Sequence, residues 1–140
     1  LLQVAQATPF AQALDIGCGA GEISVDLAKG APSSRVLGVD ISHDLLQVAR
    51  VRGKDRPNLR FELANAANWY AGAAERPDLV VSRHGVMFFA DPTAAFTHIA
   101  GQAAPGARLA FSCFRERADN IWARELASIA PSGEEPRTDL

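Results

Sequence analysis

Three glycines within five residues, with an acidic residue just before them and a helix-forming stretch just after, constrain this chain more than any other feature. The run is Leu14-Asp15-Ile16-Gly17-Cys18-Gly19-Ala20-Gly21-Glu22. A short apolar strand, residues 13–16, leads into it. Residues 21–29 follow, with Ile23 and Leu27 one helical turn apart and Gly30 as a natural stop. Glycines permit a tight turn and let a ligand approach the backbone closely. The helix start adds unsatisfied N–H groups. A dinucleotide site requires G-x-G-x-x-G/A. Here the third glycine comes one position early, and Glu22 fills the slot that needs a small residue. Asp15 would repel a pyrophosphate and suits a ligand that carries an amino group. The plainer alternative is a glycine turn that serves strand–helix packing alone.

The rest of the chain repeats this unit. Residues 35–39 read as a buried strand. Ser42 can cap a second helix, with Asp44 in its first turn, Arg50 and Arg52 in its last, and Leu45, Leu46 and Ala49 facing inward. Residues 59–63 and 78–82 read as the third and fourth strands. Asp91-Pro92 opens a further helix, with Asp as cap and Pro at its first position. Pro105-Gly106 turns the chain into a fifth strand, residues 108–114. A last helical stretch is expected near residues 120–129, and the polar segment 131–140 reads as loop. Continuous apolar strands alternating with amphipathic helices predict a Rossmann-like, doubly wound parallel sheet in a three-layer αβα sandwich. Such sheets bind ligands at the carboxyl ends of their strands.

Composition narrows the function. Apolar residues make up 48% and charged residues 21% of 140 positions, which fits one globular domain spanning 1–140. A net charge of −2 argues against a general nucleic-acid binder. No run approaches the roughly 20 apolar residues of a membrane span. Cys18 and Cys113 are far apart and lack metal-ligand spacing, so no metal site is expected and a reducing cytoplasm is the natural location.

The second informative segment is Val36-Leu37-Gly38-Val39-Asp40-Ile41-Ser42. Asp40 ends the second strand and is placed to accept two ribose hydroxyls, one on each carboxylate oxygen. Ile41 can lie against a purine face. Helix capping is the alternative role for Asp40.

These two segments resemble the first motifs of class I S-adenosylmethionine-dependent methyltransferases. The likeness continues through Phe61-Glu62-Leu63-Ala64-Asn65-Ala66, through residues 78–92, and through Pro105-Gly106-Ala107-Arg108-Leu109, covering 11–114. Residues 78–92 are similar to bacterial small-molecule methyltransferases, including relatives of quinone-biosynthesis C-methyltransferases. The resemblance implies S-adenosylmethionine as cofactor and direct displacement onto a small-molecule O, N or C acceptor, with no metal. It gives Asp15, Gly17, Cys18 and Gly19 to cofactor binding, with Asp15 and the glycines holding the methionine moiety. Asp40 would bind the ribose and Ile41 the adenine face. Asn65 and Ala66 would meet the adenine edge, and Asn65, standing where the family usually has Asp, implies weaker binding. Ser82 and Arg83 would line the methyl-transfer region, and Arg83, His84 and Met87 would face the acceptor.

His84 has two readings, a general base and a wall of the acceptor pocket. His98 is expected on the surface, and His43 on the surface or near the cofactor. Cys18 is expected to fill a tight turn and Cys113 the core. Trp69 and Tyr70 could flank adenine or cover the helix below the sheet equally well. Met87, Phe88 and Phe89 are expected to pack in the core, with a substrate wall as the alternative. The family's sheet has seven strands and five are found here, so the chain is expected to be incomplete at both ends or to dimerise through a fifth-strand edge carrying Leu109, Phe111 and Phe114. Residues 1–7 would be a helix that closes the cofactor site. Two other classes stay open. A non-catalytic S-adenosylmethionine or S-adenosylhomocysteine binding module is favoured by Asn65 and the missing strands. A nicotinamide-dependent reductase is disfavoured by the glycine spacing. The chain lacks the Asn-Pro-Pro-aromatic motif of methylases acting on nucleic-acid bases, so no nucleic-acid partner is expected.

Overall fold

A computed structural model describes residues 1–72, 74–116 and 119–121. Five strands form one parallel sheet: β1 (Gln12–Ile16), β2 (Arg35–Asp40), β3 (Leu59–Leu63), β4 (Leu79–Arg83) and β5 (Arg108–Ser112). Their spatial order is β3-β2-β1-β4-β5. The order reverses between β1 and β4, so the carboxyl ends of that pair form the switch-point crevice. Helices α1 (Leu2–Gln6), α2 (Glu22–Gly30), α3 (His43–Arg52) and α4 (Pro92–Gln102) complete the chain's regular elements among the described residues, with a 3-10 turn at Val86–Phe88.

Alternation along the strands sorts the core into two layers. Ala13, Val36, Leu79 and Val81 face α1 and α2, packing on Ala5, Ile23 and Leu27. Leu14, Ile16, Val39 and Val80 face the other way, against Ile99 of α4 and against Ala66 and Trp69 in the segment after β3. The three-layer sandwich is therefore as expected. The helix starts follow their capping chemistry: the Ser42 hydroxyl accepts from Leu45 N–H at 3.3 Å, and Asp91 accepts from Ala94 N–H at 2.9 Å with Pro92 behind it.

Four expectations change. The fourth strand runs one residue further, to Arg83. The fifth ends at Ser112, because His84 N–H bonds to Ser112 O at 2.9 Å and the chain then leaves the sheet. Cys113 thus falls outside the strand and is exposed instead of buried. The leading helix does not close the site. Arg108, at the amino end of β5, donates to Thr8 O at 2.8 Å and Ala5 O at 3.4 Å, which seats this segment at the opposite end of the sheet. Of the helix expected near 120–129, all but residues 120 and 121 lie outside the described residues, as does the loop 131–140. No helix among the described residues is long and apolar enough to cross a membrane.

Candidate functional site

The carboxyl ends of β1, β2 and β4 open on a cleft of about 850 Å³, within the range of small-molecule sites. A smaller cavity of about 300 Å³ adjoins it over the glycine turn. Gly17, Gly19, Arg83 and His84 line both.

The floor is backbone. Gly17 has φ +65°, and a Cβ there would meet Gly85 Cα at 2.7 Å. A Cβ on Gly85 would meet Ile16 O at 2.5 Å. The end of β1 and the turn after β4 therefore touch without side chains between them. Ser82 locks this junction. It is fully buried, and its hydroxyl donates to Ile16 O at 2.8 Å and accepts from Val86 N–H at 3.1 Å. Ser82 is thus a brace beneath the cleft and does not line it, contrary to the sequence expectation. Gly85 was not anticipated; the pairing of a second glycine turn with the first was the available signal.

Asp40 lines the cleft and does not cap α3, whose N-cap is Ser42. One carboxylate oxygen accepts from Gly19 N–H and the other from Ser42 N–H, each at 2.8 Å. It fixes the glycine turn, and each oxygen keeps a further lone pair for a ligand hydroxyl. Ile41, exposed, and Leu45 form an apolar wall beside it. Across the cleft, Asn65 uses its side-chain oxygen to accept from Ala67 N–H at 2.9 Å, a local turn that holds Ala66 in the core edge.

Asp15 lies at the base of the smaller cavity and is almost wholly buried. It accepts from the Ser24 hydroxyl at 2.6 Å. Burial pushes its carboxyl up to about 7, with the Ser24 bond and nearby Arg83 acting the other way. Cys18 donates its N–H to Val39 O at 3.0 Å, and burial drives its thiol upward, so it is an inert filler of the turn. Glu22, at the start of α2, accepts from Arg83 and lies 3.6 Å from Arg52, which also caps Ala20 O at 2.8 Å. The Arg83 bond holds the Glu22 carboxyl below its usual range.

The two cleft histidines differ. His84 is the one non-glycine with positive φ, +67°, among the described residues. Its ring stacks flat on Phe114, centroids 4.3 Å apart. Its Nδ1 is buried with no hydrogen-bond partner. His98, expected on the surface, instead lines the cleft. Its Nε2 lies 2.6 Å from Trp69 O, which can only accept, so Nε2 carries the proton. Tyr70 meets its ring edge-on at 5.0 Å.

The remaining aromatics sort out by depth. Trp69 packs in the core and Tyr70 is exposed. Phe88 and Phe89 line the cleft; Phe88 is strongly exposed and does not pack in the core. Met87 is exposed and is not among the residues lining the cleft. His43 pairs with Asp44 at 3.5 Å on the surface, outside the cleft.

The profile of the family described as "Methyltransferase domain" matches residues 13–106. A trans-aconitate 2-methyltransferase from Methylobacterium radiotolerans is 36% identical over 121 residues, 86% of this chain and 44% of that protein. A malonyl-[acyl-carrier protein] O-methyltransferase from Ilyobacter polytropus is 27% identical over 118 residues, 84% of this chain and 43% of that protein. The chain thus spans less than half the length of these curated relatives. Among solved structures, the plantazolicin methyltransferase BpumL in complex with a pentazolic desmethylPZN analog and SAH superposes with TM-score 0.72 at 18% identity, covering 94% of this chain and 48% of that one. That likeness speaks to the fold alone.

Proposed function

The chain belongs to the methyltransferase domain family, and from that premise we propose that it binds S-adenosylmethionine and transfers its methyl group to a small-molecule acceptor. The observation that carries this is Asp40, which lines the cleft and whose two oxygens are each anchored by one backbone N–H, so that each retains a second lone pair. A cis-diol is the matching ligand. The glycine turn fits beside it, because the left-handed conformation and the Gly17–Gly85 contact leave no room for side chains.

S-Adenosylmethionine, when bound, supplies a methyl carbon made electrophilic by the sulfonium. The chain's own residues orient and desolvate. Asp40 holds the ribose, Ile41 and Leu45 cover one purine face, and Ala66 with Asn65 meets its edge. Gly17, Cys18 and Gly19 give the backbone cradle, and Asp15 faces the ammonium. Phe88 and Phe89 exclude water on the acceptor side, beside His84. Positioning of this kind can lower a barrier by on the order of 7–11 kcal/mol.

A carboxylate acceptor is the finer reading. Among the described residues, neither cleft histidine is hydrogen-bonded to a carboxylate that would orient it as a base. An acceptor that is already anionic needs no base. Trans-aconitate and a malonyl group, named in the relatives above, both carry carboxylates. This favours His84 as a wall.

The first test is calorimetric titration with S-adenosylmethionine, S-adenosylhomocysteine and NADH. Micromolar binding of the two sulfur nucleosides without NADH is expected; binding of NADH alone would overturn the reading. Incubation with S-adenosylmethionine and a panel of small carboxylic acids should then yield methyl esters. Binding without turnover on any acceptor would favour the non-catalytic module. We also propose self-association along β5 and a cytoplasmic location, which suits two free cysteines.

A further inference from the structure

We infer that Arg83 recognises the α-carboxylate at the methionine end of the cofactor, in the smaller cavity, and not the methyl acceptor; this rests on the cofactor reading above. An amino-acid end is a zwitterion and needs an anion and a cation set close together. The smaller cavity offers both. Asp15 lies at its base, and Arg83 is the one permanently cationic residue among the described residues that line it.

The sheet places the two on one face. Asp15 pairs in register with Val81. Residues 81 and 83 point the same way along β4, toward α2, where Asp15 meets Ser24 and Arg83 meets Glu22. Arg83 is near enough to Asp15 to lower its proton affinity against the effect of burial.

Arg83 also has capacity to spare. A guanidinium carries five N–H donors in a planar fork. One Nη is engaged by Glu22. Glu22 has a second cation, Arg52, at 3.6 Å. Arg83 can therefore take a ligand carboxylate without stranding Glu22. The Arg52–Glu22–Arg83 row holds the guanidinium at the cavity edge before the ligand arrives, which reduces the ordering cost of binding.

The test compares S-adenosylhomocysteine with its decarboxylated analogue, S-adenosyl-3-thiopropylamine, by calorimetry on the whole chain. The wild-type chain should favour S-adenosylhomocysteine. Arg83→Gln should weaken that ligand by about ten- to a hundred-fold, the scale of a lost charge-assisted bond, and leave the analogue within about two-fold, so that the preference disappears. Arg83→Lys should restore part of it. Glu22→Gln should reduce the preference without abolishing it, because Arg83 stays in place but is held less firmly, and a preference reversed toward the analogue there would overturn the inference. An unchanged preference in Arg83→Gln, with a raised KM for the acceptor, would overturn the inference and return Arg83 to the acceptor. A wild-type chain that binds neither nucleoside overturns the cofactor reading and this inference together. One that binds both equally overturns this inference alone.

Discussion

Asp15 is a carboxyl placed where ionisation is costly. Its ordinary value is 3.8, and burial raises it to about 7 in the folded chain. The folded state therefore holds this proton more tightly than the unfolded state. Its contribution to stability is most favourable below about pH 4 and declines as pH rises to about 7. Asp15→Asn removes that dependence. The variant should be more stable than the parent at pH 8, by roughly 1–2 kcal/mol once the cost of a buried amide is allowed for, and no more stable at pH 4. Thermal unfolding at both pH values checks this, and a pH-independent difference would refute it. The same substitution should abolish binding of an ammonium-bearing ligand, and in the parent that binding should weaken below about pH 7. The position of Asp15 was legible, because it lies on an apolar strand two residues before the first glycine of the turn. His98 was not legible. Its place in the cleft depends on Trp69 O, a partner 29 residues away that no local pattern announces. Ser82 misled for a related reason. It stands at a strand end, where ligand-binding residues collect, but its hydroxyl is consumed by Ile16 O and Val86 N–H.

At the scale of elements, the junction between β1 and the turn after β4 is the part least tolerant of change. Gly85→Ala would press a methyl against Ile16 O at 2.5 Å and Gly17 Cα at 2.9 Å. The expected cost is roughly 1–3 kcal/mol, read as a lower denaturant midpoint, with ligand affinity lost as well. Ser82→Ala leaves a buried N–H and a buried carbonyl each short of a partner, at a cost of roughly 1–3 kcal/mol. If Ser82→Ala unfolds at the parental midpoint, the brace has no energetic weight. The strands themselves were legible to within a residue or two, because runs such as Val36-Leu37-Gly38-Val39 are apolar on both faces, as a central parallel strand must be. Where β5 stops was not. The sequence stays apolar through Phe114, yet that ring leaves the sheet to stack on His84. The leading helix was also misplaced, because the carbonyls that Arg108 caps lie about a hundred residues before it.

For the whole molecule, β5 is one of the two edges of the sheet among the described residues, β3 being the other, and Leu109 and Phe111 on it are 45% and 48% accessible. An uncovered apolar edge is a template for pairing. The chain as given should therefore be larger than a monomer by light scattering, and Phe111→Lys should shift it toward one. A parent that is monomeric at high concentration would remove the proposal of edge pairing.

The strand order has a further consequence, which concerns synthesis. β1 sits at the centre of the sheet and leaves the ribosome first of the five strands. Its neighbour β2 follows soon after, but its other partner, β4, begins at Leu79, 63 residues beyond the end of β1 at Ile16. At ordinary translation speeds that is roughly 3–13 seconds. For that interval the central strand of the sheet has one flank open, and Asp15 on it has neither Arg83 nor Val81 beside it. Nascent chains should accordingly recruit holdase chaperones until β4 emerges, and a silent codon change that slows translation before Leu79 should lower soluble yield without altering the finished protein.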